Sequence, residues 1–253
     1  MILGSSASAA AARRSPIDVH GQTYFLSGYV GYTPVRGTYV EGNEEKDDGL
    51  PQGFLVEQPP GSVTPPHFHE VNQFQVFVGG EGRIGKHDAP PVSVHYASGH
   101  TPYGPIEAGA TGVDYFTLRA GFDPGAKYMP AQRAKLRPGP RRFRLSETVP
   151  ATDAVALAAR ASSALDVLLE PEPDGLQAHI FRLGANGTSN LPDAAHGGGQ
   201  YLVVINGTLI HGGEVLDRLS CLFVTSDEPP MRATAGAEGL EMLILRFPVE
   251  QCP

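Results

Sequence analysis

His67 and His69 flank Phe68 at positions i and i+2, and on an extended chain such residues project to the same face, so both imidazoles reach one point. Two converging imidazoles suit a divalent metal, or a metal-free pocket in which they serve as hydrogen-bonding groups. Gln73 follows His69 by four residues, and Gly61 and Gly80 stand six before His67 and seven after Gln73. Pro65 and Pro66 stiffen the approach to the pair, and a turn at Glu70-Val71-Asn72 brings Gln73 in from the start of the next strand. The amide is the odd member, since a carboxylate there would add a negative charge opposite a cation. His95 alternates with Val94 and Tyr96 and faces the same interior.

The elements that must position these residues read as short strands. Alternating or continuous apolar patterns run over 53–58, 73–78, 92–96 and 113–118, with equivalents beginning at Ile180, Tyr201, Ser220 and Glu241. An offset of 127 residues lays His69 on His196, Gln73 on Gln200, Gly80 on Gly207, Gly112 on Gly239 and Leu118-Arg119 on Leu245-Arg246. About a quarter of positions 54–120 match without a gap, the mark of an internal duplication. His67 falls on Ala194 and Tyr103 on Pro230, so the second copy keeps too few ligands for a metal and reads as scaffold. Residues 200–205 are apolar on nearly both faces and need cover from the other copy or another subunit, so a homodimer is expected.

The domain reading follows: a disordered tail over 1–15, a domain over 16–135, a linker with a helix over 136–170 and a second domain over 171–253. The Ala- and Leu-rich run 151–170 supplies the short helical connector. With 31 glycines and 23 prolines and no long helical periodicity, the class is all-β. A net charge of −8 argues against a nucleic-acid surface. The basic run from Arg133 to Arg144 is broken by prolines and reads as solvated linker. No stretch has the length of a membrane-spanning helix, and Cys221 and Cys252 are too few for a disulfide framework, so a cytoplasmic protein is expected.

Gly61, His67, His69, Gln73 and Gly80 meet every spacing of the first motif of the cupin superfamily, with glutamine in the glutamate place. Gly99-His100-Thr101-Pro102-Tyr103-Gly104 resembles the second motif with one residue inserted and tyrosine in the histidine place. The chain therefore resembles a bicupin. That resemblance implies two tandem jelly-roll barrels, with one divalent metal in the first, Fe before Mn, Ni or Zn, and none in the second. It implies His67, His69 and Gln73 as metal site, Tyr103 and His100 as catalytic candidates, and a small-molecule substrate. Tyrosinate at Tyr103 would restore the charge lost at Gln73. The implied activities are a metal-dependent oxygenase, a metal-dependent isomerase or lyase acting on a small polar or sugar-like substrate, and a non-catalytic small-molecule binder.

Overall fold

The computed structural model describes residues 1–249. Two compact units are formed, one from Ala11–Val149 and one from Met1–Ala10 together with the chain from Pro150 onward. Cys252 lies outside the described residues; Cys221 is buried and unpaired.

In the N-terminal unit the strands follow the order Phe143–Leu145, Ser93–Ala97, Gln73–Ile84, Ile106–Arg119, Gln52–Gln58, Gln22–Val30 and Ser15–Val19. All the pairings along this path are antiparallel. The other unit repeats the order with Ile2–Ser5, Cys221–Val224, Gln200–His211, Arg232–Arg246, Gln177–Leu183 and Ala164–Leu169. Each unit is a jelly roll closed around its own core, one built on Tyr24, Phe54, Phe77 and Tyr115, the other on Phe181, Leu202, Leu240 and Met242. The two long central strands bend where they meet. There Gly80 has φ 70° and a side chain would run into the carbonyl of Gly112. Gly207 has φ 65° and faces Gly239 in the same way, so only glycine permits this backbone approach in either copy.

The sequence repeat holds for the paired strands Gln73–Ile84 and Gln200–His211, whose bounds differ by the same 127 residues. It slips by two residues one strand earlier. Arg119 lies opposite Gln52 while Arg246 lies opposite Gln177, so the partner of Gly53 is Ala178 instead of Ile180.

Two expectations fail. Residues 1–15 are not a loose tail: Ile2–Ser5 pairs with Cys221–Val224, Ala7–Ala11 is a helical turn, and Ser15–Val19 edges the N-terminal sheet. The cause is burial, since Ile2 packs on the C-terminal core while Ile17 and Val19 join the N-terminal one. The connector is also less helical than its composition suggests. Asp153 caps a helix of only Ala154–Ala158, and Ala164–Leu169 is a strand paired with Gln177–Leu183, because the alternating residues there complete the sheet edge.

The terminal strand provides a test. Deleting residues 1–5 is expected to destabilise the C-terminal unit by about 2 kcal/mol, from four lost cross-strand positions. Hydrogen exchange should quicken at Cys221–Val224 and stay unchanged at Gln73–Ile84; equal exchange at both would rule out the pairing.

Candidate functional site

The site is assembled at one end of the N-terminal barrel by backbone pairing. His67–Phe68 is a two-residue strand against Lys127–Tyr128, and His67 also bridges Tyr103. The bridge has two hydrogen bonds, His67 N to Tyr103 O at 3.1 Å and Tyr103 N to His67 O at 3.0 Å. His100 is tied to the pair as well, its N donating to His69 O at 2.7 Å, and it is the side chains that separate the two: the Tyr103 hydroxyl reaches His67 Nε2 at 3.0 Å. His100 sits at φ 58°, its ring against Phe68 and its Nδ1 facing Arg137 N at 3.4 Å, outside the cavity that His67 and His69 line. His95 lies beneath Tyr103, 5.0 Å between ring centres, with Nδ1 on Gln75 Oε1 at 2.9 Å.

The side chains form one unbroken hydrogen-bonded chain. Asp123 Oδ1 accepts from His69 Nδ1 at 2.6 Å, which leaves Nε2 as the acceptor nitrogen of that ring, and Arg119 Nη2 lies against the imidazole, 3.1 Å from Nε2 and 3.2 Å from Nδ1. Arg119 Nε donates to Gln73 Oε1 at 2.9 Å, and Gln73 Nε2 donates to the Tyr103 hydroxyl at 2.6 Å. The hydroxyl then donates to His67 Nε2 at 3.0 Å, and His67 Nδ1 donates to Pro65 O at 2.7 Å. Arg119 Nη1 also donates to Gln52 Oε1 at 2.8 Å. Donors and acceptors alternate consistently only when both histidines are neutral and Tyr103 keeps its proton.

The electrostatics agree with that assignment. Burial, followed by the neighbouring His69, lowers the His67 pKa to about 3. Burial and the Arg119 charge lower His69 as well. Burial pushes Tyr103 well above the ordinary phenol range, so the phenol is neutral and supplies no tyrosinate charge. Burial alone would raise Asp123, but His69 and Arg119 outweigh it and hold the carboxylate ionised.

His67, His69, Tyr103 and Arg119 line part of a cavity of about 80 Å³. Its walls are mostly apolar or aromatic, with Leu26, Phe54, Val56, Tyr24, Tyr115 and Tyr128 prominent. The Tyr24 and Tyr128 hydroxyls are tied to Thr64 and to Gly37 O; the other polar side chains on the cavity are the His67, His69, Tyr103 and Arg119 group, Gln75, Thr117 and the exposed Arg36.

The fit to a divalent metal is partial at best. Both Nε2 atoms face inward while acceptors hold the Nδ1 atoms, an arrangement that suits metal-binding histidines. The remaining donors do not match. Gln73 and a neutral Tyr103 bring no charge, and the Arg119 guanidinium bonds to His69 Nε2 and Gln73 Oε1, two atoms that would have to face the ion. Among the described residues, no group of three or more His, Cys, Asp or Glu is placed to hold an ion.

Arg119 and Asp123 were not singled out by sequence reading. The signal for Arg119 was present in the repeat, where Leu118-Arg119 matches Leu245-Arg246. Asp123 gave none, because its role comes from a loop folding back 54 residues later to reach His69. In the second unit His196 is exposed on a short turn capped by Asp193, and Ala194 is buried, so no histidine pair forms.

No protein-family model matches the sequence, and no curated protein matches it at a significant level. Solved structures do match across nearly the whole chain. A putative dioxygenase from Nostoc punctiforme aligns with a TM-score of 0.57 at 10% identity, over 91% of this chain and 76% of its own. The bacterial pirin YhhW from Escherichia coli, in complex with nickel(II), aligns at 0.54 and 12% identity over 99% and 100%. Quercetin 2,3-dioxygenase from Acinetobacter baumannii aligns at 0.52 and 13% identity over 98% and 80%. These are cupin-fold proteins. The chain has the cupin fold. At such identities the likeness is one of architecture, and the site departs from the cupin motif at Gln73 and Tyr103.

Two buried neutral histidines make stability depend on pH. His67 and His95 protonate near pH 6.5 when unfolded but only near 3 when folded, so the unfolded state binds more protons in between. Stability is therefore full above pH 6.5 and falls as the pH drops toward 3, by as much as about 1.4 kcal/mol per pH unit for each histidine. Thermal unfolding of His95→Gln should show a shallower loss from pH 7 to 4.5 than the parent; equal slopes would contradict the assignment.

Proposed function

We propose that the N-terminal barrel is a binding site for a compact organic molecule with one polar end. The observation that carries this reading is the make-up of the cavity, whose walls are largely apolar and aromatic, with Arg36, Thr64, Gln75 and Thr117 as further polar lining residues, and which brings His67, His69, Tyr103 and Arg119 together in one hydrogen-bonded group. In this reading the ligand lies against Tyr24, Tyr115 and Val56, and its polar end meets Tyr103, His67 and Arg119. His69 and Gln73 hold Arg119 in place, and His100 has no part. The metal-dependent oxygenase, isomerase and lyase readings all set an ion between His67 and His69, and the Arg119 guanidinium stands against each of them.

The reading is tested by a panel of single-ring phenols, aromatic carboxylates and small polyols, followed by thermal shift and ligand-observed NMR. At least one class should bind saturably, and Val56→Phe, which fills the cavity from its wall, should weaken that binding at least tenfold. Tyr103→Phe should weaken it less, by removing one polar contact. Saturable binding that Val56→Phe leaves intact would place the ligand elsewhere and end the proposal.

A further inference from the structure

We propose that Arg119 is the resident cation of the N-terminal barrel, occupying the position a divalent ion would need and excluding it. Arg119 is 3% exposed, and its guanidinium bonds to Gln52, Gln73 and His69, with the ionised Asp123 behind His69 as its counter-charge. A metal drawing on His69 Nε2 would lie beside the guanidinium, whose Nη2 is 3.1 Å from that nitrogen, and bring two positive charges together in a buried site.

The glutamine in the carboxylate place follows from the same arrangement. Gln73 accepts from Arg119 through Oε1 and donates to Tyr103 through Nε2. A carboxylate cannot donate, so with glutamate the Tyr103 proton would turn toward it and leave His67 Nε2 without its donor. The amide is therefore matched to an internal arginine, and a carboxylate would be matched to a metal.

The second unit carries the same row independently of any histidine pair. Arg246 lies opposite Gln200 on one neighbouring strand and Gln177 on the other, as Arg119 lies opposite Gln73 and Gln52. In the amide orientation its hydrogen bonds require, Gln177 Oε1 accepts from Arg246 Nη1 at 2.7 Å and Nη2 at 3.0 Å. Gln200 is held differently, its Nε2 donating to Pro192 O at 3.0 Å and its Oε1 taking no bond from Arg246, so the two units share the positions of the row and the arginine's bond to the glutamine on one neighbouring strand.

The experiment is metal titration of the full chain by calorimetry with Ni(II), Mn(II) and Zn(II), with Co(II) absorption as a spectroscopic readout. The parent should bind none of them at the histidine pair. Combining Arg119→Met with Gln73→Glu should create a one-equivalent site, at least a hundredfold tighter than any parental binding, that His67→Ala abolishes. Gln73→Glu alone should remain without metal, because Arg119 then pairs with the new carboxylate; this variant keeps the buried cation and tests the idea even where the double variant does not fold. One equivalent bound by the parent and lost in His67→Ala, or metal bound by Gln73→Glu alone, would overturn the proposal. Neither outcome depends on whether the cavity takes an organic ligand.

Discussion

The site depends on one buried positive charge. Removing a guanidinium from water costs several kcal/mol unless hydrogen bonds and a counter-charge compensate. Arg119 has both: Gln52 and Gln73 accept from it on either side, His69 accepts from it, and Asp123 places a carboxylate across the imidazole. Asp123 is itself fixed by the Glu70 and Gly125 amides, at 2.8 and 2.9 Å. That charge is bonded directly to His69 and Gln73, reaches Tyr103 through Gln73, and reaches His67 through Gln73 and Tyr103.

The duplication explains why the charge sits there. Both copies end a long central strand with arginine and begin the strands on either side of it with glutamine, which sets the three residues opposite one another; both glutamines accept from Arg119 in the first copy, and Gln177 accepts from Arg246 in the second. The copies diverge in the segment before the second of these strands. In the first copy Pro65-Pro66 leads into an extended His67–Phe68 that pairs on two sides, which turns both imidazoles inward. In the second, the side chain of Asp193 caps a tight turn and His196 is exposed. One copy has become a lined cavity, and the other has kept the row without the histidine pair.

The architecture was largely legible in sequence because its signals are local. Alternation and turn residues marked the strands, and glycines at fixed offsets marked the bends where Gly80 meets Gly112 and Gly207 meets Gly239. Composition misled at the N-terminus, where an Ala- and Ser-rich stretch reads as a tail although Ile2 has a core to pack on. It misled again at 164–169, where the helix-forming tendency of Ala and Leu yields to an open sheet edge.

By itself the sequence determined the tandem all-β organisation, the convergence of His67 and His69, and the pairing of Gln73 with Gln200, since periodicity and spacing are enough for these. Tertiary structure alone decided what the glutamine is for. Its partner Arg119 lies 46 residues away on the neighbouring strand, and Asp123 reaches His69 only when its loop folds back over the barrel end. The sequence likewise left Tyr103, His100 and His95 as alternatives, and side-chain direction separates them: Tyr103 bonds His67 Nε2, while His100 Nδ1 faces Arg137 N and His95 Nδ1 faces Gln75. Hydrogen bonds between distant strands carry no sequence period, so the letters that resembled an incomplete metal site are seen, once folded, to form a complete hydrogen-bonded one.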